Sequence, residues 1–88
     1  MVTNYEQKKK LIQRFVSMPN DFSWPELIRL LSGFGYQLSG VGKTGGSRVR
    51  FIHKMLPPII LHQPHPSTVL KRYQIEQVIE LLRLEGLI

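Results

Sequence analysis

The chain has no cysteine among its 88 residues. Disulfides and thiolate metal sites are therefore excluded as supports for the fold, and the composition fits a reducing compartment, the cytoplasm. No apolar run approaches the ~20 residues of a membrane span, so no membrane partner is expected. Residues 1–18 lack the uninterrupted apolar core of a signal peptide. Internal repeats and low-complexity linkers are missing as well. Acids are few, six against twelve Lys and Arg. What is present is a hydrophobic share of 42%, which suits a folded chain rather than a disordered one. The length allows one small domain, 1–88, with an economical core.

The net charge of +6 at pH 7 favours a polyanionic partner, nucleic acid first. An acidic protein would answer the same charge.

Leu11, Ile12, Phe15 and Val16 form one stripe of a first helix over 4–18, edged by Lys8, Lys9, Lys10 and Arg14. The lysine run reads as a solvated helix face rather than a phosphate contact. Pro19-Asn20-Asp21 breaks the helix. Ser23-Trp24-Pro25-Glu26 has capping-box spacing and starts a second helix, with Pro25 in its first turn. Leu27, Leu30, Leu31 and Phe34 repeat at helical spacing as core, and Gly33 and Gly35 end the helix. A short strand is expected from Tyr36 to Gly40. Gly40, Gly42, Gly45 and Gly46 then bound a loop with Lys43 at its tip. The spacing is not a Walker pattern; it suits a turn whose backbone approaches something closely, such as a phosphate.

The clearest strand runs from Ser47 to His53. Val49 and Phe51 point one way, and Arg48, Arg50 and Ile52 the other. Met55 to Pro58 turns the chain and Ile59 to His62 returns, ended by Gln63-Pro64-His65-Pro66. A last helix, Tyr73 to Leu84, buries Ile75, Val78, Ile79 and Leu82, with Gly86 as its C-terminal cap and Leu87 packing back. Sequential strands with short connections pair antiparallel. The expected fold is α+β, order α-α-β-β-β-α, with helices on one face of a three-stranded antiparallel sheet and the other face open.

With the turn centred near Leu56, Phe51 faces Leu61 and Arg50 faces His62. Arg48, Arg50 and His62 then share the open face; a slip of one residue would reverse His62. Arginine forks match phosphate oxygens, and histidine titrates near neutral pH. Together they suit binding RNA and cleaving it through its own 2′-hydroxyl, without a metal or other cofactor. A solvated face of ordinary basic residues remains the alternative. His53 falls on the core side as a capping or partly buried residue, and His65, between prolines, holds a turn. Neither a metal-ligand cluster nor a serine-hydrolase pair is visible.

The helix Pro25-Glu26-Leu27-Ile28-Arg29-Leu30-Leu31, then Gly35-Tyr36, Gly46-Ser47 before a strand ending in Phe51, Pro64-His65-Pro66, Leu70-Lys71 and Leu84-Glu85-Gly86-Leu87 together resemble the HicA family, toxin halves of bacterial HicA–HicB toxin–antitoxin pairs. The resemblance runs from about Trp24 to Leu87; residues 1–20 look like a helical extension on a 21–88 core. It implies a double-stranded-RNA-binding-domain-like (dsRBD-like) fold, α-β-β-β-α. It also implies a metal-independent mRNA endoribonuclease that blocks translation and is neutralised by a HicB antitoxin. Lys43, Gly46, Ser47, Arg48, Arg50 and His65 are its expected RNA contacts. In the family a catalytic histidine usually follows the Gly-Ser pair; here that position is Arg48. Arginine stays protonated and serves only to clamp phosphate or stabilise developing charge. His62 is then the expected base, with Arg48 as its catalytic partner. The alternatives are a module of the same fold that binds RNA without cutting, or one that meets a protein partner.

Overall fold

Ser23 takes an extended backbone before the first turn of the second helix, and its hydroxyl accepts the Glu26 N–H at 3.3 Å. The Glu26 carboxylate accepts the Ser23 N–H in return at 2.9 Å. Both arms of the capping box therefore form, and two otherwise unpaired helix donors are satisfied. The computed structural model describes residues 4–39 and 48–88. Its elements are α1 (Asn4–Val16), α2 (Trp24–Gly33), β1 (Gln37–Leu38), β2 (Arg48–Ile52), β3 (Ile59–His62) and α3 (Arg72–Leu84). The protein is α+β in the order α-α-β-β-β-α, with one antiparallel sheet ordered β1-β2-β3.

Both α2 and α3 end in the same way. Gly35 (φ +96°) follows α2 and Gly86 (φ +73°) follows α3. The next residue's N–H returns to the third-last helical residue: Tyr36 to the Leu31 carbonyl at 3.0 Å, Leu87 to the Leu82 carbonyl at 2.9 Å. These are Schellman closures, which need the left-handed conformation that glycine adopts without strain. The Gly86 closure turns Leu87 back against the core.

The core lies between the sheet and the helices. Phe51, Ile59 and Leu61 from the sheet pack with Trp24, Leu27 and Leu31 of α2 and Ile75, Val78 and Leu82 of α3. Trp24 tilts against Phe51 with ring centroids 5.6 Å apart. α1 joins this core through Phe15, 1% exposed, which meets Phe22 at 4.9 Å. Leu11 and Ile12 pack at the margin, while Val16, expected on the buried stripe, is exposed at the last position of α1. Arg14 fixes α1 to the start of α2. Its guanidinium reaches Glu26 and Asp21 at 3.1 Å each and lies over the Phe22 ring.

Register departs from the sequence expectation. Phe51 pairs with Ile59, Val49 with Leu61, Arg50 with Ile60 and Arg48 with His62, so Phe51 does not face Leu61 and Arg50 does not face His62. The connection is centred on Met55 rather than Leu56 because His53 closes it. The His53 Nδ1 accepts the N–H groups of Met55 and Leu56 at 2.9 and 3.2 Å. Pro57 and Pro58 lack the N–H that would extend the ladder. The slip is two residues along one strand, so each side chain keeps its face.

Candidate functional site

The open face of the sheet is set by alternation along β2 and β3. Val49 and Phe51 turn inward; Arg48, Arg50 and Ile52 are exposed on the other side. On β3, Ile59 and Leu61 are buried and His62 is exposed. Arg48 and His62 are direct cross-strand partners, a relation that places Cβ atoms about 5 Å apart on one face. Arg50 follows two residues on, about 7 Å along the strand, beside Ile60. The Arg50 carbonyl also accepts the Ser39 N–H at 2.9 Å, continuing the β1 edge past its last paired residue. Two permanent cations and one imidazole thus share a face. The corrected register brings His62 beside Arg48, closer than the pairing with Arg50 would have placed it.

His62 sits on a supported strand end. Gln74, buried in the first turn of α3 at 4% exposure, donates from Nε2 to the His62 carbonyl at 2.7 Å. Its Oε1 accepts the Lys71 N–H at 3.0 Å. Lys71, the N-cap, has no side-chain acceptor, so only the return arm of a capping box can form, and Gln74 spends its other end on β3. Sequence reading missed this residue. The signal was a polar side chain four positions before Val78, on the apolar stripe of α3, at capping-box spacing from Lys71.

The remaining histidines separate by role. His53 packs edge-on against Tyr36, with ring centroids 4.8 Å apart. With Nδ1 accepting two backbone N–H groups, Nε2 carries the ring proton and donates to the Phe34 carbonyl at 3.0 Å. Both nitrogens serve the fold, as expected for a capping, partly buried residue. His65 is exposed beyond the ladder, and its peptide bond to Pro66 is cis. The segment after it is tied to the start of α2 by Trp24 N–H to the Thr68 carbonyl (2.7 Å) and Leu70 N–H to the Phe22 carbonyl (2.8 Å). Lys43, Gly46 and Ser47 lie outside the described residues. Among the described residues no group of three His, Asp or Glu is placed to hold a metal ion, and no helix is long and apolar enough to cross a membrane.

Fold and face together define a small α+β protein with a basic, histidine-bearing open sheet. Compared with known protein families, residues 24–84 match the family described as HicA toxin of bacterial toxin-antitoxin. The match covers more than half of the chain, and the protein belongs to the HicA toxin family, toxins of toxin–antitoxin systems with a cognate antitoxin as partner. Comparisons with curated proteins and with solved structures gave no match. The matched residues begin at α2, so α1 stands outside them although Phe15 is part of the core.

Proposed function

We propose that this toxin is a metal-independent endoribonuclease of mRNA, acting in the cytoplasm and neutralised by a HicB antitoxin. The observation that carries the reading is the cross-strand pairing of Arg48 with His62 on the open face, with Arg50 beside them. The dsRBD-like order that follows α1, α-β-β-β-α, supports an RNA partner. In this reading residues 1–88 act as one domain, residues 1–20 being an extension whose Phe15 has joined the 21–88 core.

The residues divide the chemistry by what each can do. Arg48 and Arg50 hold the oxygens of one phosphodiester through charge-assisted hydrogen bonds. Gly46, Ser47, Lys43 and His65 extend the contact to flanking phosphates. His62 takes the proton of the adjacent 2′-hydroxyl. The O2′–P bond forms as the P–O5′ bond breaks, leaving a 2′,3′-cyclic phosphate on one product. The 5′-oxygen of the other product receives a proton from the imidazolium or from water. Arg48, permanently charged, stabilises the extra negative charge on the pentacoordinate phosphorus. That is the one catalytic role open to it where the family usually carries a histidine.

Two variants test the reading. His62→Ala should lower RNA cleavage by about 10²- to 10⁴-fold, the usual range for a lost general base, and leave RNA affinity nearly unchanged. Arg48→Ala and Arg50→Ala should weaken binding and each reduce the salt slope by about one. Wild-type cleavage by His62→Ala would remove His62 as base and point to His65, since both nitrogens of His53 serve the fold. The Arg48 departure also favours a second reading, in which the same face binds RNA without cutting. Salt-dependent binding with no cleavage by the wild type would establish it. Weak, salt-independent RNA binding would instead favour a face for protein contact.

A further inference from the structure

Apart from the sheet face, the strongest surface feature is a groove between α1 and α2. Leu11 and Ile12 from α1 and Leu30 and Phe34 from α2 line a hollow of about 410 Å³, edged by Lys8, Lys9 and Arg29. Its size falls in the range of ligand-binding clefts. A second hollow of about 860 Å³ adjoins it, adding Lys10 and Arg14 to the same side. Among the described residues no acid lines either hollow. Arg14 is committed to Asp21 and Glu26, whereas among the described residues Lys8, Lys9, Lys10 and Arg29 have no ion-pair partner. At the end of α2 the lysine stem lies directly over Gly33, where an added Cβ would stand 2.9 Å from the Lys8 Cε. Apolar stems with charged heads at the rim are what a mixed apolar and anionic occupant requires.

We infer that the α1–α2 groove is a second docking site, which takes an amphipathic helix with acidic flanks from a protein partner. Its apolar side chains at i, i+3, i+4 and i+7 enter the floor of Leu11, Ile12, Leu30 and Phe34, and its carboxylates meet Lys8, Lys9 and Arg29. The charge of the rim excludes a basic helix and the apolar floor disfavours a bare phosphate chain. The groove belongs to the helical layer, with the sheet between it and the Arg48–His62 face, so its occupation leaves that face open. The α1 side of the groove lies outside the family match, whereas Arg29, Leu30 and Phe34 lie within it. The site stands or falls independently of RNA cleavage.

The test is an amide NMR titration of the full chain with a synthetic helix carrying leucines at that spacing and glutamates on both flanks. The control is a peptide of equal composition with the leucines scattered. The patterned peptide should shift the amides of Lys8, Leu11, Ile12, Arg29 and Phe34 and leave Arg50 and His62 in place. Lys9→Glu combined with Arg29→Glu should weaken it at least about 10-fold, with the remaining spectrum that of the folded wild type. Equal binding of the scattered control, shifts centred on Arg50 and His62, or absence of groove shifts at millimolar peptide would overturn the proposal. Displacement of the same groove amides by oligouridylate instead of the peptide would assign the groove to RNA and overturn it equally.

Discussion

Replacing Glu26 by Gln removes one charge while keeping the shape and the capping acceptor. In the native protein the Arg14 guanidinium, 3.1 Å away, holds the Glu26 carboxyl well below its ordinary 4.5, at about 2, with help from the Ser23 N–H and hydroxyl. A group depressed in the folded state stabilises it above the unfolded pKa and loses that contribution as pH falls through the folded value. The window is therefore pH 4.5 down to about 2. The shift sets a ceiling of about 3 kcal/mol. The Arg14 side chain is 37% exposed, and solvent screening brings the expected value to about 1–2 kcal/mol. Glu26→Gln should thus lower the melting temperature by roughly 5–10 °C at pH 7. The gap to the wild type should close as pH drops toward 2. Urea unfolding of both proteins at pH 7, 4 and 2.5 measures this directly. A gap that stays constant across that range, or none at pH 7, would refute the assignment of the α1–α2 tie to the Arg14–Glu26 charge pair.

Three further outcomes are expected. Phe15→Ala should cost about 3–5 kcal/mol in denaturant unfolding, although α1 lies outside the family match; a cost below about 1 kcal/mol would make α1 an appendage. Gly35→Ala should cost about 1–2 kcal/mol, because the residue has φ +96° and its new Cβ would sit 2.9 Å from the His53 Nε2; calorimetry at neutral pH reads it. Gln74→Leu removes the amide that links the His62 carbonyl to the Lys71 N–H at a partly buried junction, at about 1–3 kcal/mol. It should also lower cleavage per folded molecule, while Gln74→Asn, too short to span both partners, should behave alike.

Several elements were legible because their signals are local. Ser23 and Glu26 announced a capping box, Gly35 and Gly86 announced helix ends, and alternation in Arg48–Ile52 announced which side chains face outward. The strand register was not legible. It depends on how the His53 ring folds the backbone of Met55 and Leu56, a contact between a side chain and a turn that composition does not reveal. The face assignment of His62 survived because the error was an even number of residues. The role of Gln74 was hidden for a related reason. Its partner carbonyl belongs to a strand twelve residues earlier, and tertiary placement alone makes one amide serve both a helix start and a strand end. The tether between 68–70 and the start of α2 is likewise a long-range backbone pairing.

The central proposal is that the Arg48–His62 face cuts RNA through the substrate's own 2′-hydroxyl. The most direct test is incubation of folded, antitoxin-free protein in EDTA with an end-labelled single-stranded RNA and with the same strand in 2′-deoxy form. The expected result is cleavage of the RNA alone, giving 2′,3′-cyclic phosphate ends. An intact RNA, or equal cleavage of the deoxy strand, would contradict the proposal.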